Sequence, residues 1–229
     1  MKWLINLFTS SIGQKLVMSL TGIFLITFLP VHLLGNLQLL ADDGGESFNV
    51  YAKFMTGNPV IKTVSYGLYL FILLHIVQGF ILWFQNRNAR ESRYAVAAKV
   101  NSTWASRNMG PLGMVLLVFL VLHLVQFWMK MKFPSLGLID MVEINGEQVK
   151  NLYDPVYVTF KNLGFVVFYV VCMVAIGFHL SHGFQSAFQS LGLNHKKYTP
   201  LIKGLGLGYS ILIPLGFAII PVYFYFFIK

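Results

Sequence analysis

The sequence predicts an all-α integral membrane protein, a bundle of five transmembrane helices with its amino terminus cytoplasmic and its carboxyl terminus outside. Three observations carry this. Of 229 residues, 56% are hydrophobic and 11% charged, against roughly a quarter charged in an ordinary soluble domain. Five apolar runs, at about 16–40, 60–84, 109–130, 157–188 and 204–228, are each long enough to cross about 30 Å of hydrocarbon at about 1.5 Å per residue. The charges, finally, divide unequally. The amino terminus, the linker 85–108 and the turn 189–203 hold ten basic residues against Glu91 alone, whereas the remaining loops and the carboxyl terminus hold seven basic and seven acidic residues. By the positive-inside rule the basic side is cytoplasmic.

Taken in order, the elements read as one transmembrane domain over 1–229. Met1 to Thr9 is amphipathic, with one lysine and no small-residue cleavage site before the first apolar run, so no cleaved signal is expected. Asn58-Pro59, Asp154-Pro155 and Thr199-Pro200 each set a capping side chain before a proline that needs no helical hydrogen bond, and these mark three helix starts. Pro30, Pro214 and Pro221 fall inside spans and predict kinks that neighbouring helices must relieve. No loop exceeds about 28 residues, so no extramembrane domain is expected for chemistry. The net charge of +9 is absorbed by topology and anionic lipid, and no nucleic-acid role is expected. The single cysteine, Cys172, excludes a disulfide framework and a cysteine-based metal site within the chain.

Six histidines occur, and five of them, His32, His75, His123, His179 and His182, lie in the apolar runs, with His195 in a loop. An imidazole in hydrocarbon is costly unless bonded or ligated. Four helices carry one each or more, and depth sorts them. His32 is nine or ten residues from the outer Ala41-Asp42 boundary and His123 seven from Lys130, so both belong to the outer half. His75, twelve residues before Arg87, and His179, eighteen after Lys161, lie from the middle towards the cytoplasm. Glycines recur around them: Gly22 and Gly113 each precede an outer histidine by ten residues, and Gly79 and Gly183 each follow an inner one by four. Small residues also serve plain helix packing, but a flat macrocycle beside a helix needs missing side chains. Two imidazoles at one depth can clamp an octahedral iron from both faces of a porphyrin, whereas zinc or copper wants three or four ligands converging on one point. Two pairs therefore predict two haems b, His32 with His123 and His75 with His179, with Gly22, Gly113, Gly79 and Gly183 giving clearance. No mid-span carboxylate, P-loop, nucleophile–base pair or HExxH occurs, so no catalytic residue is expected, and the chain is expected to need partner subunits for catalysis.

At these residues the sequence resembles the cytochrome b membrane anchor of the succinate:quinone oxidoreductase family (succinate dehydrogenase and fumarate reductase), in its single-chain, five-helix, dihaem form. The stretches that carry it are Thr21-Gly22 with His32 ten residues beyond the glycine, Leu74-His75, Leu122-His123, and Phe178-His179 to His182-Gly183 running on to Leu191-Gly192. The resemblance implies a multi-pass protein of the bacterial inner membrane, bound on the cytoplasmic side to a flavoprotein and an iron–sulfur subunit. It would exchange electrons with a quinone, expected to be menaquinone. The family pattern gives the same pairing of histidines, and its spacing of thirteen residues from ligand to glycine selects His179, thirteen before Gly192. His182 is then an alternative ligand, or a group nearer the cytoplasm bonding a propionate or lining a quinone pocket. The chain departs from the family where an acid stands beside one ligand, here Gly177, and where an outer-loop acid serves quinol chemistry, here near Phe54 or Met55. These departures lean towards succinate oxidation. Two other functions fit the histidines: a haem b anchor of a hydrogenase or formate dehydrogenase, and a proton-coupled transporter lined by histidines. The latter lacks support from an inverted repeat, since the echo between Leu74–Gln78 and Leu122–Gln126 is short.

Overall fold

A computed structural model describes residues 8–88, 103–133 and 137–228; Lys2, Arg90, Glu91, Arg93 and Lys99 of the basic side lie outside the described residues. Five helices are long and apolar enough to span a membrane: α1 (Ser11–Asn36, continued by a 3-10 turn to Leu40), α3 (Pro59–Asn88), α4 (Met109–His123, continued through Lys132), α6 (Leu163–Ser190) and α7 (Thr199–Phe226). The chain is an all-α, multi-pass membrane protein. Between the spans lie α2 (Glu46–Gly57), a hairpin of β1 (Met141–Ile144) and β2 (Glu147–Lys150), and α5 (Tyr153–Phe160).

Two of the three expected helix starts are corrected. Asn58 behaves as expected, its Oδ1 accepting from the N–H groups of Val60 at 2.9 Å and Ile61 at 3.3 Å. Asp154-Pro155 opens only the short α5, and the fourth span begins later, at Leu163 instead of about 157. Asn162 leaves the helical region there (φ −95, ψ 116), and its Oδ1 accepts from Gly164 N and Phe165 N, a stronger stop-and-restart signal than a proline in a first turn. Thr199 is already inside α7, with Tyr198 in the capping position, and its hydroxyl donates to Asn194 Oδ1 at 2.9 Å.

Prolines are accommodated between helices. Pro30 has no N–H to give the Ile26 carbonyl one turn back, and the hydroxyl of Tyr209 on α7 donates to that oxygen instead. Pro214 likewise frees the Ser210 carbonyl, and Gly177 of α6 lies so near that a Cβ there would stand 3.0 Å from this oxygen. A larger side chain has no room at Gly177, because the position is a seam between α6 and α7. A Cβ on Gly216 would come within 2.7 Å of Leu33, which sets α7 equally close to α1, as small residues do in membranes.

The outer end is capped by the connecting segments. Asn145 and Gly146 take the positive φ values, 55 and 79, of a two-residue Asn-Gly hairpin turn, pairing Met141 with Lys150 and Ile144 with Glu147. Buried Asn49 of α2 ties the cap together: its Oδ1 accepts from Leu152 N at 2.9 Å and Tyr153 N at 3.1 Å, and its Nδ2 donates to Asn151 Oδ1 at 3.2 Å. Beneath it Leu39, Val156, Phe160, Val166, Tyr169, Ile220 and Phe224 form the buried core. The hairpin and α2 were not expected from the sequence.

Candidate cofactor site

Helix packing brings the four histidines together in the two expected pairs. The rings of His75 on α3 and His179 on α6 have centroids 6.2 Å apart, and those of His32 on α1 and His123 on α4 are 5.9 Å apart. Two metal–nitrogen bonds of about 2 Å, plus about 1 Å from nitrogen to ring centre on each side, put axial imidazoles roughly 6 Å apart. Both spacings fit an iron between the rings. Among the described residues no three His, Cys, Asp or Glu side chains cluster, so the donors converge in twos.

The inner pair faces a cavity of about 1770 Å³, lined by His75, His179 and His182 and by all four glycines singled out from the sequence, Gly22, Gly79, Gly113 and Gly183. The expected division of these glycines between two depths is overturned. Ten residues of helix separate Gly22 from His32 and Gly113 from His123, which is about 15 Å of rise, enough to carry both glycines down to the inner level. A Cβ on Gly22 would meet His75 Cε1 at 3.5 Å, and one on Gly113 or Gly183 would meet nothing within 4 Å. One glycine from each of four helices therefore lines a single cavity.

Hydrogen bonds orient His75. The Thr21 hydroxyl donates to Val17 O at 2.8 Å, so it meets His75 Nδ1, 3.1 Å away, as an acceptor. The ring proton is thereby assigned to Nδ1, and Nε2 keeps a free lone pair for a metal. Thr21, 2% exposed, is a positioning residue not assigned a role from the sequence, although it stands beside Gly22. On the opposite side, His179 Nδ1 is buried without a hydrogen-bond partner, a polar atom whose burial is costly as it stands. His182 lies one turn nearer the basic face and lines the same cavity.

The outer pair has different surroundings. Phe28 stacks on His32 with centroids 5.0 Å apart, Phe119 stacks on His123 at 5.6 Å, and Phe127, Tyr169 and Phe217 complete an aromatic enclosure. Asn36 Nδ2 donates to His32 O at 2.7 Å and lies 3.3 Å from His32 Nδ1, which makes Nδ1 an acceptor and assigns the ring proton to Nε2. Ligation through His32 Nε2 requires Asn36 to release Nδ1. His123 Nδ1 is buried without a partner. Directly after His123 the helix widens into a π-turn, Leu124–Trp128, which carries Gln126 to Tyr169, whose hydroxyl donates to Gln126 Oε1 at 2.6 Å. Such turns recur at functional sites. His195, in its loop, accepts from Lys197 N and takes no part in either pair.

The inner level thus sets two imidazoles at the spacing of two ligands to one metal beside a cavity lined by four glycines, and the outer level sets two at nearly the same spacing between aromatic walls. Compared with known proteins, the chain matches no family model, no curated protein and no solved structure.

Proposed function

We propose that the chain is a dihaem cytochrome b subunit that anchors the flavoprotein and iron–sulfur subunits of a succinate dehydrogenase or fumarate reductase to a bacterial inner membrane and exchanges electrons with a quinone. The observation that carries this reading is the crossed pairing of histidines from alternate spans at two depths, each pair at the separation of two axial ligands. His75 and His179 would hold the inner haem b, and His32 and His123 the outer one. Bound there, iron porphyrins supply one-electron transfer without proton loss. Thr21 would fix the tautomer of His75, and the four glycines would leave room for the ring beside it.

The basic side, to which Lys15, Arg87, Arg107, Lys196, Lys197 and Lys203 belong among the described residues, would suit attachment of soluble subunits. Charge reversal at Arg87, Arg90 and Arg93 together is expected to release them at high salt while leaving the orientation of the chain unchanged.

The test is a reduced-minus-oxidised absorption spectrum with haem quantitation on the purified chain. Two haems b per chain are expected. No haem absorption would overturn the reading in favour of a histidine-lined transporter. A co-purifying hydrogenase or formate dehydrogenase in place of the succinate-oxidising subunits would transfer the same haem chemistry to another complex.

A further inference from the structure

The spans close firmly around the inner cavity on three sides and loosely on the fourth. α1 packs along α3 and along α6, and α6 packs along α4, while residues of all four helices line the cavity. α3 and α4 complete the ring, and they are the least buried of the spans. Only 6% of the most apolar stretch of each is buried, against 22, 33 and 28% in the others.

Two contacts pin α3 to α4, one towards each end. On the outer side Trp128 Nε1 donates to the Tyr69 hydroxyl at 2.8 Å, with ring centroids 5.7 Å apart. On the basic side Gly110 lies so close to Trp83 that a Cβ there would overlap the indole ring. Tyr69 and Trp83 are fourteen residues apart on α3, about 21 Å of helix. Between the pins the helices part. A Cβ on Gly113 of α4 would meet nothing within 4 Å, and one on Gly79 of α3 would meet only Met18 of α1, at 3.6 Å, so at neither glycine does the facing helix come into contact.

The edges of this gap are apolar. No charged residue stands between Lys62 and Arg87 on α3 or between Arg107 and Lys130 on α4. Ile72 and Ile76 of α3 and Leu116 and Leu120 of α4 carry the cavity wall up to it. The outer end of the bundle is closed by the aromatic enclosure of His32 and His123 and by the Asn49-tied cap, and the basic mouth is flanked by Lys15 and Arg87. A flat apolar ring concentrates in lipid over water, so it meets the gap far more often than the mouth.

We propose that the gap between α3 and α4 is a side door from the bilayer to the inner level, wide enough for a porphyrin to pass edge-on, with Tyr69–Trp128 and Trp83–Gly110 holding the two spans together beyond its ends. The inference rests on the haem reading for the identity of the occupant. Gly79 and Gly113 stand on the two door posts, where side chains would narrow the passage, and opening leaves the packing of α1 and α6 untouched.

The experiment uses the full-length chain carrying Cys172→Ala, purified without haem and placed in phospholipid vesicles. Ile76→Cys and Leu120→Cys, midway between the pins, are joined by a cleavable bifunctional thiol reagent, and haem uptake is followed by absorption. Bridging before haem is added is expected to abolish uptake at the inner level. Cleaving the bridge should restore it, which separates the bridge from the substitutions. Bridging after loading should stop transfer of the inner haem to excess apomyoglobin. The same bridge between Lys15→Cys and Ser190→Cys, across the basic mouth, should leave uptake unchanged. Uptake that survives the first bridge, or that only the second one blocks, would overturn the door and leave the haem reading standing. A chain that takes up no haem in any form would overturn the haem reading and this occupant; a bimane label on Leu117→Cys that brominated lipid quenches would then keep the opening, and an unquenched label would remove it too.

Discussion

The two histidine levels have nearly the same ring separation, 6.2 and 5.9 Å, and almost nothing else in common. At the inner level the neighbours withdraw: four glycines, open space beyond Gly113 and Gly183, and a threonine from another helix holding His75 by its Nδ1–H. At the outer level the neighbours close in, with phenylalanines stacked on both rings and Asn36 turned against His32. Ligand spacing is thus a property of how the backbones pack, while room and tautomer are properties of the side chains around the ligands. If both levels hold haem as proposed, the inner site is the preorganised one, and the outer one would spend part of its binding energy on rearranging Phe28, Phe119 and Asn36. On adding haem to the apoprotein, the inner level is expected to fill first.

The largest effect that would break this comparison is loss of a ligand. His179→Ala should lower the haem content from two to one per chain and spare the outer spectrum, whereas His182→Ala should keep both haems with at most a shifted potential. Haem lost only on changing His182 would move the ligand one turn towards the basic face.

Gly113→Leu is the next largest. Because a Cβ at Gly113 meets nothing within 4 Å, the larger side chain fits the empty protein and simply occupies the space, so folding is expected to survive while the inner haem is excluded and the outer one retained. If both haems bind normally to this variant, the glycines serve packing alone.

A smaller effect should separate positioning from ligation. Thr21→Val removes the acceptor for His75 Nδ1–H, and loss of such a partner costs about 10–100-fold in metal affinity. Thr21→Ser should restore it. The readout is the inner midpoint potential together with haem retention on dilution, and neither should change at the outer level.

The five spans were legible because lipid demands long apolar runs, and the pairing of histidines was legible because depth can be counted from the charged boundaries. Where sequence and structure differ, the cause is another. Gly22 and Gly113 were attached to the histidines nearest them in sequence, yet ten residues of helix are about 15 Å, the distance from one level to the other. Asp154-Pro155 looked like the start of a span because the restart at Asn162 depends on a side chain accepting two backbone N–H groups, a geometry that composition does not reveal. The hairpin was in fact signalled by Asn145-Gly146 between alternating residues. Thr21 was hidden because its partner is 54 residues away on another helix.

The smallest effect concerns the cap alone. Asp43 is held below the usual carboxylate range by hydrogen bonds from Ser47, and Glu147 by the hydrogen bond and charge of Lys53, 2.6 Å away. Depressed values mean that this stabilisation is present above about pH 4 and fades as pH falls through the folded-state values. Both groups are solvent-exposed, so the effect is slight. Hydrogen exchange, corrected for intrinsic rates, should quicken in 43–57 and 141–152 on acidification and stay unchanged in the spans.

The bond from Tyr209 to the Ile26 carbonyl has a consequence for biosynthesis. The first span enters the bilayer with a proline-freed carbonyl whose side-chain donor among the described residues is Tyr209 of the last span, and such a group is expensive in hydrocarbon without one. Its donor is translated more than 180 residues later. Until the last helix arrives, α1 is an unfinished wall, and Leu33 and Gly177 lack the surfaces of Gly216 and Ser210 that they pack against. Arrival of the fifth span is therefore the closing step of assembly, and a ribosome stalled before residue 199 leaves a bundle that quality-control proteases can recognise by its wet, open seam.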